Sequence, residues 1–253
     1  MKTHIATSDA STITIRGRDL VDDLIGRHGF TEVLYFLITG RMPTPEQARV
    51  LDACLVTLME HGWTPTSLIA RLALDSAPGQ VQIAMAAGLL AVGDVFVGTM
   101  EGCGRLLQDG AAREDQDAWC RETVAAHRAA RKPMPGFGHP FHKPDDPRPP
   151  RLFRVAAECG VPGTSIALLK RLGAELDRAA GRHLTINATG AIAALLLEIG
   201  IPPAIMRGIA VVSRAGGLTG HVVEEQQTHA AREIWRLAEE HIGYEDPPAP
   251  SSA

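Results

Sequence analysis

The chain has 253 residues, of which 45% are hydrophobic and 21% are charged, and its formal net charge is −4. These values are typical of a soluble globular protein that can bury one large core or two modest ones. The small negative charge gives no electrostatic reason to expect nucleic acid or an anionic membrane as a partner.

The cysteines and the N-terminus indicate the compartment. Cys54, Cys103, Cys120 and Cys159 are widely separated and form no Cys-x-x-Cys pair, which predicts reduced thiols. Residues 1–15 lack the apolar core of a signal peptide, and no later segment approaches membrane-spanning length. We therefore expect a cytoplasmic protein.

The residue pattern predicts an all-α fold. Alanine and leucine are abundant, and both are strong helix formers. Segments that alternate between apolar and polar residues are nearly absent, and the one β-like run is residues 12–15.

Three helices are predicted in the first sixty residues. Asp19 can cap a short helix that Gly26 ends, and the apolar residues 30–38 predict a buried helix. Thr44, with Pro45 in the first turn, starts the third helix. The third helix has an apolar face at helical spacing, made of Val50, Leu51, Cys54, Leu55 and Leu58.

The next region contains His61 and Arg71. His61 follows the end of the third helix, where a histidine either favours the helix dipole or serves a site. Thr66 or Ser67 is expected to cap the following helix, which contains Arg71. Residues 80–92 predict a further helix rich in alanine and leucine, interrupted by glycine.

Residues 94–104 place three glycines around the acid Glu101. Such glycines indicate close backbone approach, either between helices or to a ligand. Glu101 is therefore either a solvated helix acid or a site residue. Residues 113–131 are polar throughout and predict an exposed helix.

The most informative segment is residues 135–148, whose prolines and two glycines exclude a helix. It contains His139, whose imidazole can give or take a proton near neutral pH. Arg148 can hold a carboxylate through its planar fork of donors. A polar, restricted loop among helices is a typical place for a binding site.

Two other interpretations of this loop stay open from the residues alone. It could be a surface linker with incidental histidines. It could also bind metal through His139, His142 and one of Asp145 or Asp146, although this spacing matches no common zinc pattern.

Residues 191–197 are uncharged and predict a buried helix. Asn187, Thr189 and Gly190 lie at its N-terminus, where free amides and a partial positive charge suit a thioester oxygen or a carboxylate. The alternative is that Asn187 or Thr189 is only a helix cap.

The C-terminal part is predicted as a helix over 201–213, a glycine-rich turn over 214–221 that carries Arg214, and a last helix over 222–241. Glutamates are expected on exposed positions of the last helix, namely Glu224, Glu225 and Glu239. Residues 244–253, with three prolines and two serines, predict a disordered tail.

Four ordered motifs resemble those of the citrate synthase superfamily. Residues 136–148 resemble its active-site loop, and residues 213–224 resemble its later arginine motif. Residues 16–20 resemble its opening motif, and residues 61–62 its Asp-His-Gly element. The resemblance covers nearly the whole chain.

Within the superfamily, the chain is more similar to citryl-CoA lyases and to the citrate-cleaving module of ATP-citrate lyase. Full synthases carry a histidine where this chain has Glu101. The lyase-type proteins have an acid there, after a Gly-Asp-x-Phe element like residues 93–96.

The resemblance implies a large and a small helical domain, a homodimer, and an active site in the cleft between the domains. Residues 1–101 and 200–253 would form the large domain, and residues 102–199 the small CoA-binding domain. It implies coenzyme A or acetyl-CoA and oxaloacetate- or citrate-type acids as substrates or products, with no metal.

The resemblance also implies roles for single residues. His61 would bind the oxo-acid part of the substrate, and His139 would polarise its carbonyl or handle the citryl hydroxyl. Arg148 and Arg214 would hold carboxylates. The residues that would contact coenzyme A are Gly136, Phe137, Gly138, Lys143 and Asn187.

One position departs from the family pattern. Thr189 lies where the family has the aspartate that moves the proton at the acetyl carbon. A carboxylate in that role contributes about 10²–10⁴-fold to the rate, and a threonine hydroxyl is a poor base. Glu101 is a candidate replacement, and Arg232 is the candidate for the arginine that a partner subunit would contribute.

Two functions are therefore expected. The first is a citryl-CoA lyase-like enzyme, with His139, His61, Thr189 and Glu101 as candidate catalytic residues. The second is a catalytically impaired protein that binds acyl-CoA or a dicarboxylate, or acts as a partner subunit.

Overall fold

The computed structural model describes residues 1–95 and 98–247. Within them the chain is mostly helical with three short strands, which confirms the predicted all-α class. The strands are β1 (Ala6–Ser8), β2 (Ile13–Ile15) and β3 (Arg18–Asp19). The α-helices are α1 (Phe30–Thr39), α2 (Pro45–Met59), α3 (Pro65–Ser76), α4 (Val81–Leu90), α5 (Thr99–Ala111), α6 (Gln116–Ala129), α7 (Arg148–Glu158), α8 (Thr164–Ala180), α9 (Ala188–Glu198), α10 (Pro203–Thr228) and α11 (Ala230–His241).

The chain divides into two compact units. Unit 1 comprises residues 1–59 and 93–213, and unit 2 comprises residues 60–92 and 214–253. These bounds differ from those of the predicted large and small domains, and the predicted division into functional domains stays a prediction.

Unit 1 begins with an antiparallel sheet in the order β1-β2-β3. The predicted β-like run is confirmed as β2, whereas β1 and β3 were not predicted. Asp19 then caps a π-helical turn, Leu20–Leu24, by accepting hydrogen bonds from the amides of Val21 and Asp22. The predicted cap is therefore confirmed.

The predicted helices α1 and α2 are present. Thr44 Oγ1 accepts from the Gln47 amide at 3.2 Å, and Gln47 Oε1 accepts from the Thr44 amide at 3.1 Å, so the start of α2 is capped on both sides. All five apolar residues predicted for its inner face are buried. The expectation that the whole apolar run of α1 is buried was wrong, because Phe30 is on the outer face and is 71% exposed.

The core of unit 1 is built around α9. Every residue from Ala191 to Leu196 is fully buried, and α9 packs against α2, α5, α7 and α8. Its uncharged sequence therefore reflects contact with helices on all sides. All four cysteines are free and buried.

Unit 2 contains α3, α4 and α11, and Leu74, Ala84 and Val222 are buried together in it. The prediction that Thr66 or Ser67 caps α3 was wrong. Thr64 is the N-cap residue and Pro65 is the first helical residue, a position that tolerates proline because its amide needs no partner. The Ser67 hydroxyl accepts from the Thr64 amide at 2.9 Å.

The predicted glycine-rich turn at residues 214–221 was also wrong, because these residues are helical within α10. Glycine costs about 1 kcal/mol in a helix relative to alanine. Burying an apolar side chain stabilises by about 1.5–3 kcal/mol, and both Leu218 and Val222 are buried. Glu225 was expected to be exposed but is 2% exposed.

Among the described residues, no single helix is both long and apolar enough to cross a membrane, and α9 with α10 is one bent pair whose combined length and composition would suffice. Residues 244–247 have no helix or strand. The rest of the predicted disordered tail, residues 248–253, lies outside the described residues.

Candidate active site

The predicted loop lies in unit 1 and is fixed to the segment that precedes α9. The Gly138 amide donates to the Thr185 carbonyl at 2.8 Å, and the Asn187 amide donates to the Gly136 carbonyl at 3.0 Å. Phe137 forms an antiparallel bridge with Ile186 between these two bonds. The loop is therefore fixed by one isolated β-bridge and two backbone hydrogen bonds and is not a loose linker.

Two glycines allow the loop to meet the N-terminus of α9. Gly136 has φ +88°, and a Cβ atom there would lie 2.7 Å from Cys103 Sγ and 2.9 Å from Gly190 Cα. A Cβ atom on Gly190 would in turn collide with the Gly136 carbonyl. Backbone touches backbone at this point, so neither position accepts a side chain without displacement. Burial raises the pKa of Cys103 to about 12, which keeps this thiol protonated.

His139 has a defined tautomer. Its Nδ1 accepts hydrogen bonds from the Phe141 amide at 3.1 Å and from the His142 amide at 3.0 Å. The proton of the neutral ring therefore lies on Nε2. The rings of His139 and His142 are stacked with centroids 4.3 Å apart.

Arg148 is bound by an internal carboxylate. Its Nε donates to Asp146 Oδ1 at 2.9 Å, and its Nη2 donates to Asp146 Oδ2 at 2.7 Å. Asp146 is 1% exposed and also accepts from the Arg148 amide and from the Ala188 amide, each at 3.0 Å. Burial alone would raise the pKa of Asp146, but the hydrogen bonds from Arg148 outweigh it and the pKa is lowered. No hydrogen bond joins Arg148 Nη1 to another described residue, so this nitrogen is available for a ligand.

Asn187 and Thr189 form a hydrogen-bonded chain at the N-terminus of α9. Asn187 Oδ1 accepts from the Gly190 amide at 3.0 Å and from the Thr189 hydroxyl at 2.7 Å, so the predicted cap is Asn187. Its Nδ2 donates to the Gly138 carbonyl at 2.8 Å. Because the proton of Thr189 is used on Asn187, Thr99 is the donor in the 2.9 Å contact between the two threonine hydroxyls. Thr99 was not singled out by sequence.

Glu101 faces two guanidinium groups. Its Oε1 accepts from Arg105 Nη2 at 2.7 Å, and its Oε2 lies 3.5 Å from Arg207 Nε. These contacts favour the interpretation of Glu101 as a structural ion-pair acid over a free catalytic base. Phe96, the last residue of the Gly-Asp-x-Phe element, lies outside the described residues.

A cavity of about 360 Å³ opens beside the loop and is lined by His139, Lys143, Arg182 and His183 among others. His183 contacts Asp177 Oδ2 at 2.6 Å and Asp145 Oδ1 at 2.9 Å. The pKa of His183 is raised, mainly by the hydrogen bond with Asp177 and to a smaller extent by the one with Asp145. The cavity therefore presents cationic groups, and neither Arg182 nor His183 was predicted as a site residue.

The carboxylates of the alternative metal site have other partners. Asp145 contacts His183, and Asp146 is paired with Arg148 inside the fold. Both carboxylates are therefore already paired with other side chains, and these contacts do not favour the predicted set of metal ligands.

Unit 2 contains His61 and Arg214. The side chain of Arg214 is 8% exposed, and its Nε and Nη1 are buried without a hydrogen bond to any described residue. Glu60 Oε2 lies 3.6 Å from Arg214 Nη1, and Glu60 Oε1 accepts from the His61 amide at 2.8 Å. Burial lowers the pKa of Arg214, and Glu60 opposes this. An unsatisfied buried guanidinium is an anion-binding group.

The structure thus joins most of the predicted loop residues around the N-terminus of α9 in unit 1, and it places His61 and Arg214 around Glu60 in unit 2. The convergence of both sets on one substrate stays a prediction. Arg232 is paired with Asp75 at 2.8 Å, and its role in a partner's site is likewise a prediction.

The profile of the citrate synthase C-terminal domain matches residues 41–238. The chain belongs to the citrate synthase family. It is 24% identical to the 2-methylcitrate synthase of Shewanella oneidensis, over 88% of this chain and 56% of the relative. It is 26% identical to the citrate synthase of Haloferax volcanii, over 84% of this chain and 55% of the relative. The chain thus spans about half the length of the curated relatives it matches.

Two solved structures superpose over nearly all of this chain. The citryl-CoA lyase from Hydrogenobacter thermophilus has a TM-score of 0.87 and 30% identity, covering 100% of this chain and 97% of that chain. The ATP citrate lyase from Methanothrix soehngenii, in complex with citrate and coenzyme A, has a TM-score of 0.82 and 19% identity, covering 98% of this chain and 42% of that chain. The second likeness shows the fold alone.

Proposed function

We propose that the protein is a citryl-CoA lyase-like enzyme that cleaves or forms the carbon–carbon bond between an acetyl-CoA unit and an oxo acid such as oxaloacetate. The observation that carries this proposal is the geometry of His139, whose Nδ1 accepts two backbone amides of its own loop. A fixed Nε2–H donor on a loop docked to a helix N-terminus suits a substrate oxygen that gains negative charge. The match to citryl-CoA lyase over both full lengths supports the same reaction.

In the condensation direction, His139 Nε2–H would donate to the carbonyl oxygen of the oxo acid while the acetyl carbon attacks the carbonyl carbon. In cleavage, the same bond would serve the oxygen that becomes the carbonyl as the carbon–carbon bond breaks. Arg148 Nη1 and Arg214 would hold the carboxylates, and His61 the oxo-acid part. Positioning of this kind can supply several kcal/mol, on the order of 7 or more in favourable cases.

Coenzyme A would bind at the loop and at the N-terminus of α9. The predicted contacts are the Gly136–Gly138 backbone, Lys143 and Asn187, and the cationic cavity beside the loop would add Arg182 and His183. The phosphates of coenzyme A are anions that such a lining attracts.

Thr189 supports the second candidate function, a binding protein or partner subunit with little activity. Its hydroxyl donates to Asn187 and accepts from Thr99. None of these three hydrogen-bonded side chains is ionisable. An acid that moves the proton at the acetyl carbon is therefore not provided by these three residues.

The test of the enzymatic proposal is conversion of citryl-CoA to acetyl-CoA and oxaloacetate by the purified protein. His139→Ala should abolish turnover, whereas His127→Ala, a control within α6, should not. Thr189→Asp should raise the rate, because it restores a carboxylate at the family position. Absence of turnover in both directions by the wild type, with retained binding of coenzyme A, would favour the second function.

We also propose a homodimer, as the family resemblance implies. The apolar helix α4 supports it, because Ile83 and Leu90 are 43% and 86% exposed, and apolar surface of this kind marks protein contacts. Light scattering after gel filtration should give twice the mass of the chain, and Leu90→Glu should reduce it. The cytoplasmic location stays a prediction.

A further inference from the structure

A buried charged network lies in unit 2, centred on Arg71, which is 1% exposed. Arg71 Nη1 donates to Glu225 Oε2 at 3.0 Å, and its Nη2 makes a short contact with Glu224. Its guanidinium also lies over the Trp63 ring, 4.7 Å from the centroid. A guanidinium held on several sides in this way has one orientation.

Arg71 determines the tautomer of His221. Arg71 Nε donates to His221 Nδ1 at 3.0 Å. An arginine can only donate, so Nδ1 is an acceptor and the proton of the neutral ring lies on Nε2. His221 Nε2 is 3.1 Å from Glu60 Oε1, although the angle of this contact does not meet hydrogen-bond geometry.

Glu60 connects this network to the predicted substrate residues. Its Oε1 accepts from the His61 amide at 2.8 Å and from the Gly62 amide at 2.6 Å, where Gly62 has φ +71°. Its Oε2 is the acidic group 3.6 Å from Arg214 Nη1. One carboxylate therefore contacts the turn that carries His61 and faces the buried guanidinium of Arg214.

We propose that His221 and Glu60 are positioning residues that orient His61 and Arg214 toward a substrate carboxylate. Arg71 is the fixed end of this network of side chains. The proposal rests on the proposed function in one respect, namely that His61 and Arg214 bind the oxo acid. Glu60 is 42% exposed at its side chain, so without His221 the carboxylate has other rotamers. The His61 turn and the counter-charge of Arg214 would then change together.

The decisive variant is His221→Leu, which removes the contact with Glu60 and leaves Glu60, His61 and Arg214 in place. We expect it to weaken oxaloacetate binding about tenfold, because the His61 turn and the counter-charge of Arg214 would lose their fixed positions. Coenzyme A binding should be unchanged, because its predicted contacts lie in unit 1. His241→Leu, on α11 of the same unit, is the matched control, and calorimetry measures both affinities.

A second measurement does not need the substrate. Amide signals of His61 and Gly62, followed by nitrogen-15 NMR, should shift in His221→Leu and in Glu60→Ala. They should stay near the wild-type positions in Glu60→Gln, because the amide side chain keeps an acceptor oxygen for both backbone donors.

Unshifted amide signals in His221→Leu overturn the proposal whether or not oxaloacetate binds. Wild-type oxaloacetate affinity in His221→Leu also overturns it, and so does an equal loss of oxaloacetate and coenzyme A binding, which indicates general damage. A wild-type protein that does not bind oxaloacetate contradicts the proposed function, and the amide signals then decide the positioning role alone.

Discussion

Arg148 and Arg214 were both predicted to hold a substrate carboxylate, yet their surroundings in the structure differ. Arg148 is neutralised inside unit 1 by the buried carboxylate of Asp146. Arg214, in unit 2, has two buried nitrogens that make no hydrogen bond to a described residue. A motif therefore identifies an arginine without showing whether its charge is already balanced. The difference predicts that the two substitutions change stability in opposite directions.

The largest expected change in the free energy of unfolding is that caused by Arg148→Leu. It leaves Asp146 buried and without its charged partner, which should lower the free energy of unfolding by about 3–5 kcal/mol. Urea denaturation measures this. Arg151→Leu is the control, because Arg151 is exposed and pairs with Glu158, and its loss should cost less than about 1 kcal/mol. Equal losses for the two variants would contradict the role given to Asp146.

The opposite sign is expected for Arg214→Met. Removing buried donors that make no hydrogen bond to a described residue, and whose ion pair with Glu60 is long at 3.6 Å, should raise the free energy of unfolding by about 1–3 kcal/mol. The same variant should bind oxaloacetate at least about tenfold more weakly, because a charge-assisted contact is lost. Denaturation and calorimetry on one preparation measure both changes. A destabilised variant would show that Glu60 already stabilises Arg214 in the free protein.

The smallest effect concerns His183, which is half exposed. Its pKa is raised in the folded state by Asp177 and then by Asp145. The stabilisation is therefore fully present below the unfolded-state pKa of about 6.5 and is lost as pH rises through the folded-state pKa. The difference in Tm between wild type and His183→Gln should be larger near pH 5.5 than near pH 9. A difference that does not depend on pH would exclude the ion pairs as its source.

Local sequence patterns predicted much of unit 1. Asp19, Thr44 and Asn187 cap their helices as the residue types indicate, because capping depends on neighbours in sequence. The apolar spacing of α2 also predicted its buried face correctly. These features are decided within one or two helical turns, and tertiary contacts do not override them.

Features decided by distant contacts were missed. Glycines predicted a turn at residues 214–221, but burial of Leu218 and Val222 keeps α10 continuous. Glu225 was placed on the surface because an acid in a polar helix gives no sign of Arg71, which is 154 residues away. Asp146 gave one usable signal, since an acid two residues before an arginine can cap a helix and pair with it.

The contact between Gly136 and Gly190 has a consequence for anyone who redesigns this protein. Two main chains meet there with no room for a methyl group, so a side chain at either position would push the loop away from the N-terminus of α9. Libraries that seek a new acyl preference should keep both glycines and vary Thr99 and Thr189.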